Sequence, residues 1–107
     1  MTNKQFIDLA SSFPGTESNP HFDRVAFKVT GKKIFATLHE ESGTANVKLS
    51  PVDQSVFCDY GKDAVYAVLN KWGLQGWTTF ELNKIPKALM LDALDTAYQE
   101  VVKHKKK

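Results

Sequence analysis

Several residues in this 107-residue chain are of types that could do chemistry. His21 with Asp23, and His39 with Glu40 and Glu41, are metal-ligand types, but neither group has the spacing of a known site, so no metal is expected. Strands could still bring His21 and His39 together. Otherwise the first is a loop histidine and the second marks a polar hairpin tip. Cys58 would need a histidine and an orienting group to act as a nucleophile. It lies on or near an amphipathic helix and reads as a buried structural thiol. Gly61-Lys62 lacks the upstream glycine of a phosphate-binding loop. Gly73-Leu74-Gln75-Gly76 echoes the backbone clamp of KH domains, yet it leads into a strand and neither middle residue is basic. No catalytic residue, cofactor or enzymatic activity is expected.

What remains is a mixture of cations and aromatics. Lys28, Lys32, Lys33 and Lys48 could contact phosphates, while Phe35, Trp72 and Trp77 could stack on bases or wedge between them. Arg24, the sole arginine, could make a forked contact to phosphate or carboxylate. Two readings follow. In one, Arg24, Lys28, Lys32, Lys33, Phe35, Lys48 and Trp77 bind nucleic acid. In the other, His21, Arg24, Lys48, Trp72 and Trp77 line a pocket for a small anion or a protein partner. The plain alternatives are that Trp77 caps the core edge and that Arg24 pairs with Asp23 or Glu17.

These residues depend on a sheet for their placement. Three period-2 runs between Pro20 and Pro51, separated by turns at Gly31 and Ser42-Gly43, predict an antiparallel meander. Alternation assigns Val25, Phe27, Val29, Ile34, Ala36, Leu38, Val47 and Leu49 to a core face. Ala26, Lys28, Thr30, Lys33, Phe35, Thr37, His39, Asn46 and Lys48 go to the other. Residues 77–82 read as a further strand, with Trp77 and Thr79 on the Lys28 side if it joins the sheet. Thr16 to Asn19 reads as a polar connector or short edge, and Pro20 as an edge position, because it cannot donate to a ladder.

Helices flank the sheet. Thr2 and Gln5 form a capping box for a helix over about 3–12, whose stripe is Phe6, Leu9, Ala10 and Phe13. Ser50-Pro51 opens a second helix with Val52, Val56, Phe57 and Tyr60 on one side. Pro86 opens a third, over about 86–103, with Met90, Ala93, Leu94, Ala97 and Val101 inward and Leu91 and Tyr98 alongside. Residues 65–69 fit a strand or a helical turn, and 70–76 read as a loop. The expected order is α-β-β-β-α-β-α, an α+β fold with helices on one face of the sheet.

Composition sets the remaining bounds. The length suits one domain, expected over 1–104 with a basic tail at 105–107. One cysteine excludes an intrachain disulfide. No apolar run reaches signal-peptide or membrane-span length, so a cytoplasmic monomer without membrane contact is expected. The net charge of +2 is misleading. Without Lys103, Lys105, Lys106 and Lys107 the body has ten basic and twelve acidic residues, an uncommon balance for a duplex binder.

Pro20-His21-Phe22, Arg24, Ala26-Phe27, Lys32, Phe35-Ala36, Lys48-Leu49-Ser50-Pro51 and Gly76-Trp77 occur in order along the chain. Together they resemble the MmcQ/YjbR-like family of small bacterial proteins, over nearly the whole length. The resemblance implies a frataxin-like α+β architecture and DNA binding through a double-wing motif, with no established enzymatic activity. The chain departs from the family at Asn19, where many members have Lys, and at Val25, where many have Pro. The frataxin comparison does not bring iron binding with it, since the first helix carries only Asp8 as an acid.

Overall fold

The computed structural model describes residues 1–103, so the tail at 105–107 lies outside the described residues. The chain forms α1 (Asn3–Ser11), β1 (Thr16–His21), β2 (Arg24–Val29), β3 (Ile34–His39), β4 (Thr44–Lys48), α2 (Pro51–Cys58), β5 (Val65–Ala67), α3 (Lys71–Leu74), β6 (Trp77–Glu81), a 3-10 turn (Leu82–Lys84) and α4 (Lys87–Lys103). Six antiparallel strands make one sheet in the order β1-β2-β3-β4-β6-β5. The α+β class and the flanking helices agree with expectation, and the sheet is larger than the meander. β1 absorbs the polar connector, with Pro20 on an edge strand as its missing N–H requires. Residues 65–67 are strand. The expected loop at 70–76 contains α3, which starts where the Asn70 side chain accepts from the Trp72 amide at 2.9 Å.

Local signals place the longer helices. The Thr2 hydroxyl accepts from the Gln5 amide at 3.1 Å, and the Gln5 side chain accepts from the Thr2 amide at 2.9 Å. Ser50 caps α2 through the Asp53 amide at 3.1 Å, with Pro51 in the first turn. Both α1 and α4 pack on the inner face of the sheet and leave the opposite face open. Phe6 meets Phe27 edge-on at 5.6 Å, and α4 buries Met90, Ala93, Leu94 and Ala97. Phe6, Phe27, Phe35 and Phe80 are fully buried, and each contributes roughly 1.5–3 kcal/mol of apolar transfer energy.

The expected stripe of α2 faces solvent instead of the core. Of its four residues only Phe57 is buried, against Phe80 at 6.1 Å, whereas Val52, Val56 and Tyr60 are exposed. The reason is that α2 runs along the sheet edge. Gln54 Nε2 donates to the Gly73 carbonyl at 3.0 Å and the Trp77 carbonyl at 3.1 Å. Those bonds fix the side with Gln54 toward α3 and β6 and turn the side with Val52 outward. Leu91 of α4 is likewise exposed.

A bulge in β3 corrects two further assignments. Phe27 pairs with Ala36, but Lys28 pairs with Ile34, so Phe35 is an extra residue on its strand. The added residue shifts the alternation by one. Phe35, expected outward, packs fully buried against Phe13 at 6.4 Å and Tyr98 at 5.9 Å. Ile34, expected inward, joins Lys28 on the open face.

Two turn positions test the backbone in opposite directions. Gly76 has φ +108, and a Cβ there would lie 1.7 Å from the Leu49 carbonyl oxygen. Gly76→Ala should cost about 3 kcal/mol or more, through strain plus a displaced β4–α2 junction, read from the urea midpoint. Phe22 occupies a two-residue turn at φ 60 with its ring 95% exposed. Phe22→Gly removes the left-handed penalty and little packing, and should raise stability by about 1 kcal/mol in the same assay.

Candidate functional site

The open face is arranged in three rows, because antiparallel partners point the same way. The first runs from His21 to Arg24 on β2, then to His39, Thr44 and Glu81. The second contains Ala26, Thr37, Asn46, Thr79 and Tyr66. The third pairs Lys28 with Ile34, and Lys48 with Trp77. Arg24 and Lys28 are four residues apart on one strand, about 13 Å at the usual rise. The first and third rows therefore form opposite ends of the face.

The first row is tied together around His39. His39 Nε2 lies 3.0 Å from Asp23 Oδ2 and its Nδ1 lies 2.7 Å from the Ser42 hydroxyl, so one ring ties together the β1–β2 and β3–β4 turns. Arg24 Nη1 donates to Thr37 Oγ1 at 3.3 Å. Arg24 itself lies between His21 and His39, so the two histidines do not meet. Among the described residues no group of three His, Cys, Asp or Glu side chains converges to hold a metal. In the second row Thr79 Oγ1 donates to Asn46 Oδ1 at 2.7 Å, and the Tyr66 hydroxyl donates to Glu81.

The third row borders a groove of about 880 Å³ at the ends of the strands, which extends to Glu100 and Val101 on α4. Its rim carries Lys28, Lys32, Lys33 and Lys48, with Gln75 and Glu100; Ile34, Trp77 and Val101 supply apolar surface. β2 and β4 each project one lysine outward by strand alternation, and the β2–β3 turn adds two more. Among the described residues none of these four ammonium groups has a carboxylate within ion-pair distance. Glu100, on α4, is the one acid on the rim among the described residues.

Five of the seven residues expected to bind nucleic acid thus come together: Lys28, Lys32, Lys33, Lys48 and Trp77. Arg24 lies at the far end and Phe35 is in the core. Of the expected small-ligand set only Lys48 and Trp77 line the groove. His21 and Arg24 belong to the first row, and Trp72 lies on α3 outside the groove. Ile34, Gln75, Glu100 and Val101 were not expected. Ile34 reaches the groove only through the bulge, and the two α4 residues carry no distinguishing sequence signal.

Two groups have displaced acidities. The Tyr66 hydroxyl is pushed up to about 12 by its hydrogen bond to Glu81, then by burial and the Glu81 charge. Burial first, then the Asp59 carboxylate, raises the Cys58 thiol against the opposing Ala67 amide. A raised thiol is mostly protonated near neutral pH and a poor nucleophile.

Fold and site together define a small α+β domain with helices on one side of an antiparallel sheet and a lysine-rimmed groove at one end of the sheet, bounded by the last turns of α4. The chain belongs to the YjbR family, whose model matches residues 11–100. Among solved structures, a Deinococcus radiodurans protein with a DUF419 domain is similar at TM-score 0.76 and 18% identity, over 91% of this chain and 75% of that one. A Pseudomonas syringae protein is similar at TM-score 0.70 and 18% identity, over 92% and 97%. At that identity the likeness shows the fold alone. No curated protein matches the chain.

Tyr66 gives a pH test. Its acidity is displaced upward from 10.0 to about 12 in the folded chain. The stability this contributes is fully present below pH 10 and is lost as pH rises toward 12. Absorbance at 295 nm should show one tyrosine titrating near the upper value, and Glu81→Gln should move it back toward the ordinary range.

Proposed function

We propose that this chain is a non-enzymatic binding module that holds the phosphate backbone of a nucleic acid in the groove between Lys28, Lys32, Lys33, Lys48 and Trp77. One observation carries the reading. In a body with more acids than bases, four lysines that have no carboxylate partner among the described residues meet at one end of the sheet, around an aromatic ring. Convergent unpaired cations attract a polyanion by releasing its condensed counterions. The double-wing resemblance supports the same direction and the turns refine it. The β2–β3 turn offers Lys32 and Lys33, whereas the β1–β2 and β3–β4 turns offer Asp23, Glu40 and Glu41. A polyanion is therefore drawn to one end of the face and repelled from the other. Among the described residues Gln75 is the only neutral amide on the rim, which leaves little means of reading base edges, so sequence preference is weak.

A second reading is a small phosphorylated ligand in the same groove. The groove volume favours it, since it falls within the roughly 300–1,000 Å³ usual for small-molecule sites.

Amide chemical-shift titrations with a mixed-sequence 12-mer, single-stranded and duplex, separate the two. Shifts should cluster at Lys28, Lys33, Lys48 and Trp77, and log K should fall against log salt with a slope of about −3 to −4. Lys48→Ala should reduce the magnitude of that slope by about 1. If neither form moves these resonances at low salt, the nucleic-acid reading is wrong and the small-ligand reading takes its place.

A further inference from the structure

We infer that the groove takes an unpaired nucleotide segment, with a base stacked on Trp77, in preference to duplex. This rests on the nucleic-acid reading above and names the strand form that the site selects.

The groove lining combines two chemistries, with Lys28, Lys32, Lys33 and Lys48 beside Ile34, Trp77 and Val101. A purely phosphate-binding surface has no use for such apolar surface. A ligand that satisfies both parts carries anionic and flat apolar groups within a few ångströms of each other, which describes a nucleotide whose base is free. In a duplex the base faces are already stacked inside, and the outside presents phosphates and sugars. A duplex would meet the lysines and leave Ile34 and Trp77 uncovered. A single strand can turn a base inward while its phosphates stay on the rim, the combination of charged groove and aromatic platform that single-strand binders use.

The bulge adds independent support. Without it Phe35 would stand on the open face and Ile34 in the core. With it the groove keeps a smaller aliphatic side chain beside Lys28, and among the described residues Trp77 is the one aromatic that lines it. Trp77 is held from behind, because its carbonyl accepts both from Gln54 Nε2 at 3.1 Å and from the Val68 amide at 3.0 Å. A platform fixed on a strand gives up less freedom on binding than one on a loop. Glu100 faces the same rim and opposes phosphate entry, so removing its charge should strengthen binding.

Trp77 emission, isolated in a Trp72→Phe background, reports the event directly. A mixed-sequence single-stranded 12-mer should quench it and bind at least tenfold more tightly than the duplex at equal salt. Trp77→Ala should weaken single-strand binding between about 5- and 150-fold, the range of one base–aromatic stack, while leaving duplex binding nearly unchanged. Trp77→Phe should restore most of the loss, which a merely structural role would not predict. Glu100→Gln should tighten both forms. Equal affinity for the two forms, without quenching, would overturn the inference and leave backbone binding standing. Adenosine monophosphate binding as tightly as the 12-mer would also overturn it, in favour of a small ligand. No binding of any of the three at low salt would remove the nucleic-acid reading as well.

Discussion

The extra residue in β3 is the constraint on which both layers of this protein depend. A regular strand would place Phe35 on the open face and Ile34 beneath α4. The bulge exchanges them, so Phe35 closes the core between Phe13 and Tyr98 while Ile34 is left beside Lys28. One local irregularity therefore completes an aromatic cluster in the core and shapes the groove at the end of the sheet. The core contribution is the larger energetically, since burying a Phe is worth a few kilocalories per mole. The groove contribution is one of geometry.

The sequence showed most of the architecture and only part of the site. Capping residues, proline positions and apolar spacing located α1, α2 and α4, because these are local effects that tertiary packing did not override. Strand alternation sorted Val25, Phe27, Val29, Thr37, Asn46, Lys48, Trp77 and Thr79 correctly. It failed at Ile34 and Phe35, since alternation assumes one residue per pleat and nothing in Lys-Lys-Ile-Phe-Ala announces a bulge. It failed at Val52, Val56 and Tyr60 for another reason. Their spacing describes a helix with an apolar side, but hydrogen bonds from Gln54 decide which side meets the sheet. Arg24 illustrates a third limit. Its chemistry was plausible and its position was not, because the distance along the strand separates it from Lys48 and Trp77.

Charge is also distributed by topology more than by composition. The body carries more acids than bases, yet the β2–β3 turn and the ends of β2 and β4 gather four cations in one place. The opposite ends of the same strands carry Asp23, Glu40 and Glu41. A field of this shape orients a polyanion as it approaches, and it does so independently of net charge.

The two edges of the sheet have a bearing on the life of the protein in a crowded solution. An open antiparallel sheet invites other extended chains to add to it, the first step toward fibrous aggregates. At one edge Pro20 withholds a donor. At the other, α2 and the turn after it plug the ladder from within. The Val65 amide donates to the Gly61 carbonyl at 2.9 Å, so a donor of that edge strand is already engaged within the chain and is not offered to an incoming one.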